Sequence, residues 1–268
     1  MNYTCDRNFE YAIGLVLFHP EDSLLKRFKL ITDLGVPLYI FDNSPGQDEI
    51  TRDIKKNPSV HYMTAGKNLG IGYSLLTICA TAHAHGHKQI LYLDQDTSIS
   101  SRSLTFISSY IDKLPAEVKE SYAALNFKSK ISSDISIIDV PLVINSGSLF
   151  NLAVLKRIGW HSQDYFVDGV DYEFCVRASR SGHKVGIVYN TPDFDHVSEQ
   201  PDQLITFLGK VMLVRKYSPT RIKDAMSAYL RLIIGGIVQN RLSDTVALFK
   251  SMLIYVLGQI IARLIKDK

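Results

Sequence analysis

At 268 residues, with 46% hydrophobic and 21% charged residues, the chain has material for one large folded domain or a domain with an appendage. That composition excludes a disordered or fibrous protein. A net charge of +3, without a basic tract interleaved with aromatics, argues against nucleic acid as a partner. Cys5, Cys79 and Cys175 are scattered without metal-ligand or disulfide spacing, which predicts a reducing compartment and thiols that pack rather than react. The opening MNYTCDRNFE carries charges and no apolar run, so no signal peptide is expected, and the cytoplasmic side of a membrane is the expected location.

In chain order, YAIGLVLF (11–18) reads as a buried strand, and EDSLLKRFKLITDLG has helical spacing with Gly35 as its stop. PLYIFD (37–42) is a second strand ending on Asp42 and a turn-rich NSPG, and SVHYMT (59–64) a short third. GYSLLTICATAHAHG forms a helix closed by Gly86, and KQILYLD (88–94) the fourth strand. Alternating strands and helices predict a mostly parallel sheet with helices on both faces. Beyond about residue 120 the pattern loosens into the mixed strands YAALNF, ISIIDV and PLVINSGSLF, followed by the helix DYEFCVRASRSG (171–182) and the strand HKVGIVY (183–189). The expected division is a catalytic domain over 1–200 and a helical C-terminal region over 201–268.

Parallel sheets bind ligands beyond the carboxyl ends of their strands. Phe18-His19, Asp42-Asn43 and Asp94-Gln95-Asp96 all fall at such ends, so three segments aim polar groups at one rim. Two carboxylates one residue apart suit a hard divalent cation bridging to substrate phosphates, although a solvated turn explains a lone D-x-D equally simply. In DYFVDGVDYEFCVR, acidic residues at a helix start complement its dipole, and Glu173 with Arg177 makes an ordinary i,i+4 pair. Those explanations leave over Asp168 and Asp171, which flank a glycine behind Tyr165 and Phe166. Partial burial there could raise a carboxyl into the range of a general base. HAHGH (83–87) scatters its rings at a helix end, where histidines suit the dipole, and GKNLGIG lacks the lysine-serine ending of a P-loop.

DQDTS, INSGSLF, YFVDGVDYEFCVR and DFDH, in that order, resemble the motifs of bacterial family-2 glycosyltransferases, most closely the rhamnosyltransferase-like members. NLGIGYS, LFHP and FDNSP are similar to the same family's nucleotide-contacting loops, and the resemblance spans roughly residues 11–200. Three positions depart from the usual pattern: Ser74 for asparagine, Gly72 for alanine and Phe174 for tryptophan. The resemblance implies the GT-A (nucleotide-diphospho-sugar transferase) α/β fold, with C-terminal amphipathic helices added. It also implies an inverting, metal-dependent transferase using Mg²⁺ or Mn²⁺. Its implied roles are Asp171 as base and Asp96 and His196 as metal ligands. Phe18, His19, Asp42, Asn68, Gly70, Asp94 and Arg177 would bind the donor, and Asn145, Ser146, Gly147 and Asp168 would face acceptor or sugar. The implied donor is a nucleotide sugar, dTDP-rhamnose first and a UDP-hexose as the alternative. The implied acceptor is a lipid-linked saccharide of the undecaprenyl diphosphate type, used in surface polysaccharide (O-antigen or capsule) synthesis. A sugar nucleotidyltransferase would need a glycine-rich, arginine-containing loop where FHPEDSLL stands; a non-catalytic carbohydrate-binding protein would not need the full carboxylate set.

The tail TVALFKSMLIYVLGQIIARLIKDK (245–268) is strongly apolar, yet between Lys250 and Arg263 its uninterrupted run is shorter than the roughly 20 residues a span needs. Lys250, Ser251, Gln259, Arg263 and Lys266 are expected to gather on a narrow polar face, which suits a helix lying at a membrane surface with Arg215, Lys216, Arg221 and Lys223 assisting. Packing on the catalytic body or a homodimer interface are the other uses of such a helix.

Overall fold

The structure is a computed structural model and describes residues 9–46, 49–133, 136–196, 203–207 and 210–264. It begins with β1 (Tyr11–Leu17), α1 (Ser23–Asp33), β2 (Leu38–Asp42), α2 (Glu49–Lys55), β3 (Val60–Thr64), α3 (Gly70–Ala84) and β4 (Gln89–Asp94). Then come β5 (Thr97–Ser98), α4 (Ser101–Lys113), α5 (Ala116–Ser121), β6 (Tyr122–Phe127), β7 (Ile138–Val140), β8 (Ser148–Asn151) and α6 (Leu152–Ile158). The remainder is α7 (Val170–Arg180), β9 (Lys184–Val188), β10 (Asp195–His196), β11 (Gln203–Phe207), β12 (Lys210–Val214), α8 (Pro219–Val238) and α9 (Leu242–Leu264).

An eight-stranded sheet runs in the order β3-β2-β1-β4-β8-β6-β9-β7. Its first four strands are parallel, as are β6 and β9, while β8 runs antiparallel to both of its neighbours, β4 and β6, and β7 runs antiparallel to β9. Every residue of β1 is buried, which is why the segment is one continuous apolar run with no alternation. One core lies where α3, α6 and α7 cover the sheet, the other where α1, α2 and α4 do. Cys79 and Cys175 are buried in the first of these cores, as expected of thiols that pack.

Register fixes the functional rim. Leu17 pairs with Asp42 and Val16 with Asp94, so the ends of β2 and β4 flank the end of β1. The region after residue 200 differs from its expected all-helical character, because β11 and β12 form an antiparallel hairpin before α8 and α9. α4 was not anticipated either; it carries a capping box between Ser100 and Ser103 and buries Leu104, Ile107 and Ile111 along one face.

Candidate active site

Gln95 ties the rim together: its Oε1 accepts from the Phe18 amide at 2.9 Å and its Nε2 donates to the Phe18 carbonyl at 3.1 Å. Arg27 also donates to the Gln95 carbonyl. The middle residue of D-Q-D is thus a brace that fixes the two aspartates. Asp94 accepts from the Tyr92 hydroxyl at 2.7 Å, and its amide donates to Ser146 Oγ at 3.3 Å. Ser146 in turn meets Thr97 Oγ1 at 2.8 Å.

Two cavities open along this rim. The first, about 460 Å³, is lined by Asp94, Asn145, Ser146, Asp168 and Asp171, with Arg221, Tyr229 and Tyr255 as its outer wall. The second, about 540 Å³, is lined by Phe18, Asn43, Asn68, Gly70, Asp94 and Asp96, facing Arg215, Lys216 and Arg221. Tyr92, Asp94, Tyr217 and Arg221 belong to both, so the cavities are two halves of one cleft.

Asp171 stands in the first turn of α7, whose N-cap Gly169 has φ +85°. A Cβ there would meet Ala228 Cβ at 2.6 Å, so glycine is required both by backbone and by space. Burial pushes the Asp171 carboxyl up to about 7; the Tyr172 amide opposes this and Asp168 and Asp94 add repulsion. The Tyr172 amide donates to Asp171 Oδ1 at 2.9 Å. Asp168 is raised as well, chiefly by burial, with Arg221 opposing. Its Oδ2 has no hydrogen-bond partner among the described residues, and Arg221 Nε approaches only to 3.5 Å.

The loop carrying these carboxylates is held by a residue that no sequence motif singles out. Asp224 of α8 accepts from the amides of Val167 and Asp168 at 3.3 and 3.2 Å. Arg221, read from sequence as membrane-facing, instead points into the cleft and lies 4.5 Å over the Tyr217 ring. The same correction applies to Arg215 and Lys216, which line the second cavity.

Four anticipated residues stand outside both cavities. Asp42 is buried, with Oδ1 accepting from the Ser44 amide at 2.8 Å and Oδ2 engaged by the Tyr62 hydroxyl. Its neighbour Asn43 reaches the second cavity, with Nδ2 donating to Ser74 Oγ at 2.9 Å and Oδ1 accepting from the Leu69 amide at 3.0 Å. His19 donates its amide to Ser44 Oγ at 2.8 Å and packs edge-on to Phe18. Gly147, at φ +76°, donates its amide to the Tyr92 carbonyl at 2.9 Å and backs onto Phe194. Arg177 corrects its expected donor contact: it pairs with Glu173 at 2.7 Å and caps the carbonyls of Ile158, Gly159 and Trp160. A guanidinium so committed locks the segment before the acidic loop. The backbone of His196 pairs with Thr97, while its side chain, the expected third metal ligand, lies outside the described residues.

The three departures from the family pattern have local causes. A Cβ on Gly72 would sit 2.2 Å from the Ser162 carbonyl oxygen, where α3 presses on the loop before Asp168. Ser74 Oγ donates to the Gly70 carbonyl at 2.7 Å while accepting from Asn43. Phe174 stacks on buried His161 with ring centroids 5.1 Å apart and meets Phe150 edge-on at 5.2 Å.

No family model matches the chain. Among characterised proteins it is 25% identical to the dTDP-rhamnosyl transferase RfbF of Shigella flexneri over 234 residues, 79% of this chain and 75% of that one. Among solved structures it resembles S. aureus TarS, with TM-score 0.51 and 15% identity over 70% of this chain and 36% of that one. It also resembles GalNAc-T7, solved with UDP, GalNAc and Mn²⁺, with TM-score 0.52 and 10% identity over 83% of this chain and 48% of that one. The chain therefore spans between about a third and a half of these two solved proteins. Both share the GT-A architecture, whose sheet and rim are those described above. By fold the chain has the GT-A architecture, and in sequence it is similar to a dTDP-rhamnosyl transferase.

Proposed function

We propose that the protein transfers a sugar, with inversion, from a nucleotide diphosphate donor to the hydroxyl of a lipid-linked saccharide at the cytoplasmic face of a bacterial membrane. L-rhamnose from dTDP-rhamnose is the donor to test first, because the characterised relative from Shigella flexneri bears that name. The reading rests chiefly on the division of the cleft. Of these two cavities Asp171 lines the first and Asp96 the second, and Asp94 lies at their junction. A base and a leaving-group site on opposite sides of a shared wall are what in-line displacement requires.

In this reading the donor's nucleotide diphosphate occupies the second cavity, with Phe18, Asn43 and Asn68 along its base-and-ribose end and Arg215, Lys216 and Arg221 around its charge. The acceptor occupies the first, against Asn145, Ser146 and Asp168. Asp171 accepts the acceptor's proton as the new C–O bond forms at the anomeric carbon and the bond to the diphosphate breaks. One base suffices; no second carboxylate of the glycosidase kind is needed. The hard oxygen ligands of Asp94 and Asp96, both open to the second cavity, fit Mg²⁺ or Mn²⁺, with phosphate and water completing the shell. When bound, such an ion would neutralise charge developing on the departing diphosphate.

Purified protein should release nucleoside diphosphate from dTDP-rhamnose in a metal- and acceptor-dependent way when screened beside UDP-glucose and UDP-galactose with a synthetic diphosphate-lipid acceptor. Turnover with a UDP-hexose alone would replace the donor assignment. Transfer unaffected by chelator would remove the metal.

A further inference from the structure

α9 is turned inside out for a helix at a protein surface. Its polar and aromatic side faces the catalytic body: Gln259 is buried, donating to the Arg215 carbonyl at 2.7 Å and accepting from the Tyr217 amide at 3.1 Å. Ser251 meets the Tyr229 and Tyr172 hydroxyls at 3.0 and 3.2 Å. Of the narrow polar face expected from sequence, Ser251 and Gln259 therefore point inward, Lys250 and Arg263 are exposed, and Lys266 lies outside the described residues. The outward stripe is apolar: Val246, Phe249, Leu253, Leu257, Ile260 and Leu264 are spaced three or four apart and are each 45–75% exposed. Leu230, Ile234 and Ile237 on the second half of α8 extend the same surface beside the turn joining the helices. Isolated exposed aliphatics are ordinary; two adjoining helices with aliphatic outer faces mark an interaction surface.

Charge selects the occupant. From Arg215 to Leu264 the chain has eight lysines and arginines against two acids, Asp224 and Asp244. Asp224 is committed to the amides of the acidic loop and Asp244 is half-buried beside His183 and Lys184. Arg231 donates to the Asp164 carbonyl at 3.3 Å, which leaves Lys223, Arg241 and Lys250 as exposed charges on these helices and the turn between them. Two copies meeting through this face would bring like charges together, whereas an anionic lipid surface complements them. α9 has the length and hydropathy to cross a bilayer, with mean hydropathy 1.7 over its most apolar part. Yet one side of it packs on α8 and is pinned through Gln259 and Arg263, the latter donating to the Tyr217 carbonyl at 2.7 Å.

We infer that the outer face of the α8–α9 hairpin docks onto an anionic membrane, with α9 lying in the plane of the interface and not across it. The same two helices wall the first cavity through Arg221, Ala225, Ala228, Tyr229 and Tyr255, so docking sets that cavity at headgroup level. The inference rests on the lipid-linked acceptor reading and names the surface that meets the lipid.

The test is flotation of the full chain with acceptor-free vesicles, either phosphatidylcholine alone or enriched in phosphatidylglycerol. Binding should favour the anionic vesicles and weaken with salt. Phe249→Asp with Leu253→Asp should reduce it at least about tenfold, since each exchange removes an apolar side chain that docking would bury. Both positions are exposed, so thermal unfolding and nucleotide-sugar binding should be unchanged. Lys250→Glu should weaken binding to the anionic vesicles only. Vesicle binding indifferent to these substitutions would overturn the inference. So would resistance to alkaline extraction, which marks a span, or a dimer without vesicle binding that the double substitution dissolves. Absent vesicle binding beside intact transfer to a water-soluble acceptor would overturn the docking surface alone. Vesicle binding without any nucleotide-sugar turnover would support the surface while contradicting the transfer reading.

Discussion

As the proposed base, Asp171 carries opposing demands of function and stability. Its folded-state pKa is raised from 3.8 to about 7, so the fold favours the neutral acid. That contribution is fully present below the unfolded value and is lost as pH rises through about 7. Catalysis as a base needs the other form, so kcat/KM should climb through the same range, and a flat profile between pH 5.5 and 8 would contradict the role. Asp171→Asn should also stabilise the protein, by on the order of 4 kcal/mol at pH 8 and roughly two-fifths of that at pH 5, as denaturant titrations at the two pH values would show. Equal gains at both would mean the carboxyl is not titrating in the fold. His161 works in reverse. Buried between Phe150 and Phe174 with neither ring nitrogen hydrogen-bonded among the described residues, it is held neutral, its pKa pushed down from 6.5 to about 3 by burial and by Arg177. Stability it supports above pH 6.5 is lost as pH falls toward 3, so His161→Phe should lessen the drop in unfolding free energy between pH 7.5 and 4.5 by about 2–3 kcal/mol. Residues of this kind were unevenly legible. Asp94, Asp96 and Asp171 stood out because they fall at the ends of apolar runs, where a parallel sheet gathers its ligand contacts. His161 gave no signal, since a histidine between tryptophan and serine says nothing of the two phenylalanines that enclose it.

At the scale of elements, periodicity conveyed what packing demands and little of what loops do. β1, β2, β4, α3 and α7 were legible because buried strands read as apolar runs and their helices end at glycine. α4 escaped despite its Ser100–Ser103 box and its buried Leu104, Ile107 and Ile111, because serine-rich starts look like loops until paired with the apolar stripe behind them. Arg177 misled because an arginine in a familiar motif position was assigned to the ligand, when three consecutive carbonyls claimed it. The joint between α7 and α8 is where these elements become chemistry. Asp224→Ala frees the amides of Val167 and Asp168, so transfer should fall about tenfold to a hundredfold through misplacement of the acidic loop while nucleotide-sugar affinity holds. Steady-state kinetics beside donor titration separates the two, and a matching loss of affinity would place Asp224 elsewhere in the account. Gly169→Ala meets both an unfavourable φ and Ala228, and should cost roughly 1–3 kcal/mol in a thermal or chemical melt.

Across the whole molecule, the parallel half of the sheet supplies the second cavity and the mixed half, with α7, supplies the first. β8 joins them, antiparallel to both β4 and β6, and the segment just before it places Asn145 and Ser146 beside Asp94. The C-terminal helices close the cleft from outside, which makes them part of the site as well as of the surface; sequence placed them apart because an apolar tail shows its hydropathy and hides its partners. Everything proposed depends on the two halves acting on one pair of substrates. The most direct measurement is transfer and donor binding by Asp171→Asn and Asp96→Ala side by side. Asp171→Asn should bind nucleotide sugar as the parent protein does yet transfer about 10²–10⁴-fold more slowly, and Asp96→Ala should lose metal-dependent donor binding as well. Parent-like transfer by Asp171→Asn, or donor binding lost in that variant and kept in Asp96→Ala, would contradict the division of labour across the cleft.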